Sequence, residues 1–159
     1  MPAVGKSTIG KRLAVALLYR FVDTDTLIES YTGEALQGTL NREGHLKLRG
    51  IEQQVILDAN FDRSVIATGG SAVYGEAAMQ KLKSCSSIVY LSLSPTILSQ
   101  RINNWQTRGI ACAPGQTLAQ LYAEREPLYQ QYADHTINCA SQSVEQLTKV
   151  LTSLFEPMS

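Results

Sequence analysis

Residue types that bind phosphate stand together near the start of the sequence, where Gly5, Lys6, Ser7 and Thr8 follow one another. They match the second half of the pattern G-x-x-x-x-G-K-[ST], in which a glycine-rich loop opens a helix. In the whole motif, backbone N–H groups surround phosphate oxygens, the lysine reaches the β- and γ-phosphates, and the hydroxyl binds Mg²⁺. These roles fall on Lys6 and Ser7. A glycine and an N-cap before an amphipathic helix would explain so short a match equally simply.

Two carboxylates, Asp23 and Asp25, directly follow a short apolar run at 21–22. If that run is a strand, they lie at its carboxyl end, where open α/β sheets bind ligands. One could hold Mg²⁺ while the other orients or deprotonates an attacking hydroxyl, a division of roles that suits phosphoryl transfer. Capping of a helix that begins at Thr26 is the alternative role for Asp25.

Short β-rich runs alternate with longer helical runs, which predicts an α/β protein with a parallel sheet covered by helices. The predicted strands lie at 21–23, 64–68, 87–93 and 135–139. The predicted helices lie at 5–18, 26–32, 45–59, 95–103 and 118–132, with a last one opened by a capping box at 143–146. Gly69 and Gly70 end the second strand, where backbone can approach a ligand closely. Residues 104–116 are polar with Gly and Pro, and we expect a lid there.

Composition restricts the class of protein and of partner. The 159 residues are 44% hydrophobic and 18% charged, which fits a single domain, 1–159, with a sizeable core. The 14 Lys and Arg balance the 14 Asp and Glu, so we expect a small-molecule partner rather than nucleic acid or a membrane surface. The three cysteines form no CxxC pair, which favours a reducing, cytoplasmic location.

Taken in order, these motifs resemble the shikimate kinase family of small P-loop kinases over nearly the whole chain. The matching pieces are GKSTIG at 5–10, DTD at 23–25, Thr32-Gly33, Leu48-Arg49 with Glu52, ATGG at 67–70, VYL at 89–91, Arg101, Arg108 and REPLY at 125–129. The resemblance implies a five-stranded parallel sheet flanked by helices, a lid at about 104–116, and substrate-binding helices at about 26–59. It also implies transfer of the γ-phosphoryl group of ATP to a hydroxyl of shikimate, giving shikimate 3-phosphate and ADP on the route to aromatic amino acids.

The resemblance assigns each site residue a role. For ATP and Mg²⁺ it implies Gly5, Lys6, Ser7 and Thr8 at the phosphates, Arg101 beside the adenine, and Ser7 with Asp23 at the metal. For the acceptor it implies Asp25 as the base, backbone N–H groups of Gly69 and Gly70, and a carboxylate clamp of Arg49 and Arg125. Two planar guanidinium groups suit a carboxylate well. Arg108 would cover the transferring phosphoryl group when the lid closes. Without the resemblance, arginines on helices are more often surface residues.

Several positions depart from the family pattern on the acceptor side. Ser71 replaces a third glycine, Leu48 replaces an aromatic residue, and Gly109 replaces the proline of the lid. We expect Ser71 to narrow the pocket or offer a hydroxyl, and Gly109 to loosen the lid. We also expect Glu52 to pair with Arg49 one turn away.

The first glycine of the phosphate motif would stand immediately before Met1. We therefore expect the chain to start inside the loop, without the preceding strand, and the natural protein to be longer by about one short strand. Residues 1–159 alone should then be poorly soluble and bind ATP weakly, because neighbouring strands lose a partner.

Two other functions compete with a monomeric shikimate kinase. A kinase for another hydroxylated carboxylic acid is motivated by Ser71 and Leu48. A non-catalytic nucleotide-binding module is motivated by Gly109 in the lid and by the shortened loop.

Overall fold

Helices and short strands alternate along the chain, as predicted. The structure, a computed structural model, describes residues 1–102 and 109–156. The helices are α1 (Lys6–Leu17), α2 (Thr24–Thr32), α3 (Leu36–Asp58), α4 (Glu76–Cys85), α5 (Pro95–Arg101), α6 (Leu118–Tyr132) and α7 (Val144–Phe155). The strands are β1 (Arg20–Asp23), β2 (Ser64–Ala67), β3 (Val89–Ser92) and β4 (His135–Asn138), and a 3₁₀ helix spans Ala72–Tyr74.

Local side-chain chemistry explains where several helices begin. The carboxylate of Asp23 caps α2 by accepting a hydrogen bond from the backbone N–H of Asp25 at 3.1 Å. Ser143 caps α7 in a capping box with Gln146, which confirms the box predicted from the sequence. Gly5 precedes α1 with φ of 104°, a conformation that favours glycine.

Helix α3 differs from its prediction. It begins at Leu36 rather than at residue 45, and its two parts meet at Gly44, whose φ of 80° and ψ of 168° are not helical. The first part lacks a long apolar stripe, so periodicity alone does not reveal it. Helix α4 and the 3₁₀ helix before it were also absent from the sequence prediction.

The four strands form two parallel pairs rather than one continuous sheet. In one pair Arg20 of β1 lies opposite Ser64 of β2, and in the other Val89 of β3 lies opposite His135 of β4. Among residues 1–102 and 109–156, no strand joins β2 to β3. The described residues therefore show the predicted parallel pairing, in two separate pairs of strands.

Three apolar clusters hold the helices to these strands. One joins α1, α5 and α7 around Leu98, a second joins α3 and α4 around Ile56, and a third joins α2 and α3 around Ile28. Ala111 belongs to the third cluster, so the described part of the predicted lid packs against the helices of the predicted substrate region. In the part of the chain that the structure describes, no helix is long and apolar enough to cross a membrane.

Candidate active site

A cavity of about 430 Å³ lies where β1 and β2 end and α1 begins. Its wall contains nearly all of the described residues that the sequence analysis selected: Gly5, Lys6, Ser7, Thr8, Asp23, Asp25, Gly69, Gly70 and Arg125. Arg49 contacts the same cavity through Ala111, described below. The carboxyl ends of parallel strands thus meet the N-terminus of a helix, the usual arrangement for binding ligands in α/β proteins.

The phosphate end of the cavity is formed by the start of α1. Lys6 is half-buried and donates a hydrogen bond from Nζ to the carbonyl of Met1 at 2.7 Å. Burial lowers the pKa of Lys6, although Asp25 and Asp23 nearby raise it. Ser7 and Thr8 are exposed on the first turn, beside the partly positive N-terminus of the helix. An anion entering here meets both the ammonium group and the helix end.

Ser7 and Asp23 lie together next to Lys6. The Ser7 hydroxyl donates to Asp23 Oδ2 at 2.7 Å, and Asp23 Oδ1 caps α2. Both groups supply oxygen, the donor atom that Mg²⁺ prefers. Within the described residues, no three or more His, Cys, Asp or Glu form a cluster that could hold a metal ion. The pair therefore fits a magnesium ion that takes its remaining ligands from water and phosphate, as such ions usually do.

Two carboxyl groups in the cavity wall, those of Asp25 and Glu52, lie close to Gly69. A Cβ at Gly69 would lie 2.9 Å from Asp25 Oδ1 and would overlap Glu52 Oε1, so a larger residue there would displace both carboxyl groups. Burial raises the pKa of Asp25, and the neighbouring Asp23 raises it further. Burial also raises the pKa of Glu52 to about 7. The backbone N–H of Gly69 is held by the hydroxyl of Thr24 at 2.9 Å.

Arg49 and Arg125 converge on one oxygen atom. The carbonyl of Ala111 accepts hydrogen bonds from Arg125 at 2.7 Å and from Arg49 at 3.2 Å. Arg125 is 1% exposed, and its Nη1 lies 2.7 Å from where a Cβ at Gly70 would be. Two guanidinium groups directed at one oxygen form a ready site for a carboxylate.

Tyr74 and Glu124 support this arginine pair, and the sequence analysis missed both. The guanidinium of Arg49 stacks 3.6 Å from the centre of the Tyr74 ring, and Arg125 Nε donates to the Tyr74 hydroxyl at 3.4 Å. Tyr74 in turn donates to Glu124, which lies 3.8 Å from Arg49. The position of Glu124 directly before Arg125 was the one available signal.

The expected pairing of Glu52 with Arg49 is wrong. The Glu52 carboxylate accepts a hydrogen bond from the Ser71 hydroxyl instead, while Arg49 stacks on Tyr74. A helix spacing of three residues permits a pair without requiring it, and here the buried serine hydroxyl competes successfully. Ser71 lines the cavity, and the proton of its hydroxyl is donated to Glu52 rather than left free for a ligand.

Gly109 is held in place, in contrast to the looser backbone we expected there. Its N–H donates to Gln37 Oε1 at 2.7 Å, a bond that proline in the same position could not make. Its φ is 62°, and a Cβ would lie 2.6 Å from the Cβ of Leu36. The segment that carries Ala111 to the arginine pair is therefore anchored to the start of α3.

Two selected arginines remain, Arg101 and Arg108. Arg101 is the exposed last residue of α5 and is not among the described residues that line the cavity. Arg108, with residues 104–107 of the predicted lid, lies outside the described residues.

The glycine-led start of α1, the parallel strands and the acidic residues at the carboxyl end of β1 are features of a P-loop kinase fold. A sequence profile described as "Shikimate kinase" matches residues 2–155. The chain therefore belongs to the shikimate kinase family, which confirms the resemblance read from its motifs.

Individual relatives agree with this assignment. The chain is 36% identical over 143 residues to a shikimate kinase of Paracidovorax citrulli, covering 87% of this chain and 78% of that protein. It is 33% identical over 155 residues to a shikimate kinase of Vibrio parahaemolyticus, covering 96% and 90%. A solved shikimate kinase from Acinetobacter baumannii in complex with shikimate superimposes with a TM-score of 0.85 at 29% identity, covering 96% of this chain and 87% of that one.

Proposed function

We propose that this protein transfers the γ-phosphoryl group of ATP to a hydroxyl of shikimate, giving shikimate 3-phosphate and ADP. The observation that carries the proposal is the convergence of Arg49 and Arg125 on one oxygen position in the same cavity that holds Asp25 and Lys6. A hydroxylated carboxylic acid can place its carboxylate at the two arginines and a hydroxyl at Asp25. Membership of the shikimate kinase family supports shikimate as that acid.

Asp25 is the proposed base. It accepts the proton of the acceptor hydroxyl while that oxygen forms a bond to the γ-phosphorus, and the bond from that phosphorus to the ADP oxygen breaks. Burial keeps the carboxylate poorly solvated, which makes it a stronger base than an exposed aspartate. Lys6, whose pKa is lowered by burial and raised in part by the nearby charge of Asp25, offsets the negative charge of the phosphates.

In this proposal the acceptor carboxylate binds beside the carbonyl of Ala111, which holds the guanidinium groups of Arg49 and Arg125 in place. A carboxylate placed against Arg49 and Arg125 has two oxygens and a full charge, so it makes shorter and stronger hydrogen bonds than a neutral carbonyl. The backbone N–H of Gly70 contributes beside it, since Arg125 packs on that glycine. The acceptor ring then lies over Gly69, with one hydroxyl at Asp25.

The nucleotide side follows from the start of α1. Gly5, Lys6, Ser7 and Thr8 bind the phosphates, and Ser7 with Asp23 holds Mg²⁺. When bound, the metal neutralises phosphate charge and aligns the γ-phosphoryl group. The proposal also places Arg101 at the adenine and Arg108 over the transferring phosphoryl group. It includes a lid at about 104–116, substrate-binding helices at about 26–59 and a five-stranded sheet. The protein is proposed to be a monomeric single domain in the cytoplasm, without nucleic-acid or membrane partners.

The test is an acceptor comparison with Mg²⁺ and ATP. We expect ADP release with shikimate to exceed release with quinate or gluconate by at least about a hundredfold in kcat/KM, because an acceptor of different shape misplaces its hydroxyl relative to the reacting phosphoryl group. Equal or greater turnover of another hydroxylated acid would instead favour the second candidate, a kinase for that acid. Ser71 in the cavity wall is the observation that keeps this candidate open.

A further inference from the structure

Glu52 is a buried carboxyl group that the proposed chemistry does not use. The residue is 2% exposed and lines the cavity from α3. Its Oε2 accepts a hydrogen bond from the Ser71 hydroxyl. Its Oε1 is buried and has no hydrogen-bond partner among residues 1–102 and 109–156. Burying a carboxylate oxygen without a hydrogen-bond partner costs free energy of folding. Glu52 therefore needs an explanation, either a proton on this oxygen or a function in the cavity.

Charged groups from three other elements surround this carboxyl. Asp25 of α2 shares the space at Gly69, while Lys6 of α1 and Arg125 of α6 supply positive charge. Burial and Asp25 favour the neutral form of Glu52, and the Ser71 hydroxyl, Arg125 and Lys6 favour the ionised form. These influences leave the pKa of Glu52 at about 7, so a small change of charge in the cavity changes its protonation.

Ser71 determines which oxygen can carry that proton. A serine hydroxyl has one proton, and here it is donated to Oε2, which leaves Oε1 to be protonated. Glu52 makes this bond rather than an ion pair with Arg49, whose Nε is buried without a partner in the described structure. Arg49 thereby stays available for an anion. The family glycine at this position has no hydroxyl to make this bond.

We propose that Ser71 is a positioning residue for the acceptor: it holds Glu52 in the cavity wall so that Glu52 takes up a proton on Oε1 when an anionic acceptor binds at Arg49 and Arg125. The inference rests on the proposed function. A second negative charge entering a buried site favours the neutral form of a carboxyl already there. Binding of the acceptor is therefore coupled to uptake of a proton.

Calorimetry of shikimate binding to the wild-type protein measures this coupling directly. Titrations at pH 7 in two buffers of different ionisation enthalpy give the number of protons taken up. We expect about half a proton at pH 7, and a dissociation constant that rises about fivefold from pH 6 to pH 8 for a pKa that increases by one on binding. ADP release in the same preparation reports the proposed function separately.

Variants assign the proton and the role of Ser71. Glu52→Gln should take up no proton. Ser71→Ala loses the hydrogen-bond donor that lowers the pKa of Glu52, so Glu52 is already protonated at pH 7. Proton uptake on shikimate binding at pH 7 should then fall toward zero. The pH dependence of the dissociation constant should move above pH 8. Ser71→Thr keeps a hydroxyl and should keep the uptake. Ser86→Ala is the matched control, because it removes a serine hydroxyl bonded at 2.6 Å to a carbonyl at the end of α4.

Three results would overturn the inference. The first is no proton uptake by the wild type at pH 7, including the case in which shikimate does not bind at all. The second is equal uptake by Glu52→Gln, which would assign the proton to another group. The third is unchanged uptake by Ser71→Ala. A protein that takes up the proton on binding shikimate but releases no ADP contradicts the proposed function and leaves this inference standing.

Discussion

Arg125 is a charged side chain almost completely enclosed by protein, with 1% of its surface exposed. Within the described residues, its recorded hydrogen bonds go to neutral oxygens, those of Ala111 and Tyr74. A buried cation that no carboxylate pairs with directly is costly to the stability of the fold unless an anion binds to it. This arrangement is therefore better explained by binding of an anionic acceptor than by stability of the fold.

Arg125→Lys tests that explanation. Lysine keeps the charge but loses the planar pair of donors, so we expect kcat/KM for shikimate to fall about 10- to 100-fold while KM for ATP stays unchanged. Arg12→Lys, at an exposed pair with Glu145, is the control and should change neither constant. An Arg125→Lys enzyme with wild-type KM for shikimate would contradict the clamp.

Glu52 should make stability depend on pH. Its pKa is about 7 in the folded protein against an ordinary value of 4.5, so between these values the folded protein binds a proton that the unfolded chain does not. This stabilisation is complete below pH 4.5 and is lost as pH rises through 7. Glu52→Gln has no such proton, and we expect its stability relative to wild type to increase by about 2 kcal/mol from pH 5 to pH 7. Urea unfolding at both values measures it, and an unchanged difference would refute the account.

The sequence predicted those cavity residues whose place along the chain follows from a local pattern. Lys6 and Ser7 follow a glycine at a helix start, and Asp23 follows a strand, so local pattern was enough. Tyr74, Glu124 and the carbonyl of Ala111 could not be predicted in this way. They meet the arginines through packing of α6, the 3₁₀ helix and a loop, and no local spacing records such contacts.

At the scale of elements, boundaries with strong local signals were predicted well. The capping box at Ser143 and the proline after Ser94 placed the starts of α7 and α5 correctly. Helix α3 was predicted only in its second part, because Gly44 interrupts it and the first part owes its helical form to contacts with α2. Periodicity identifies strands but not their neighbours, so the structure rather than local pattern shows that β1 pairs with β2 and β3 with β4.

Gly109, in the described part of the predicted lid, should be sensitive to the addition of a single methyl group. Gly109→Ala places a Cβ against Leu36 at a backbone φ of 62°, so we expect a loss of about 1–3 kcal/mol and a higher KM for shikimate as Ala111 shifts. Gly115→Ala is a matched control, because its φ is 76° but nothing lies within 4 Å of the new Cβ. Its KM should stay at the wild-type value. Equal effects of the two variants on KM would show that anchoring at Gly109 does not position Ala111.

At the scale of the whole molecule, one apolar cluster connects α1 to the pair of strands β3 and β4. Leu98 of α5 is fully buried in it, together with residues of α1 and α7. Leu98→Ala should lower the free energy of unfolding by about 2–5 kcal/mol, because it leaves a cavity that the neighbours cannot fill. Leu46→Ala, at a leucine that is 69% exposed, should change it by less than about 0.5 kcal/mol. Denaturant titration compares them, and similar values would mean that this cluster does not hold the fold together.

Phosphoryl transfer requires both ends of the cavity at once, so the most direct measurement is ADP release with Mg²⁺ and ATP, with and without shikimate, for wild type and Asp25→Asn. The account predicts shikimate-dependent release by the wild type. It also predicts at least about a thousandfold loss of kcat in Asp25→Asn, with ATP binding retained, because the amide cannot accept the proton of the hydroxyl. Release that does not depend on shikimate, or an Asp25→Asn variant as active as wild type, would contradict it.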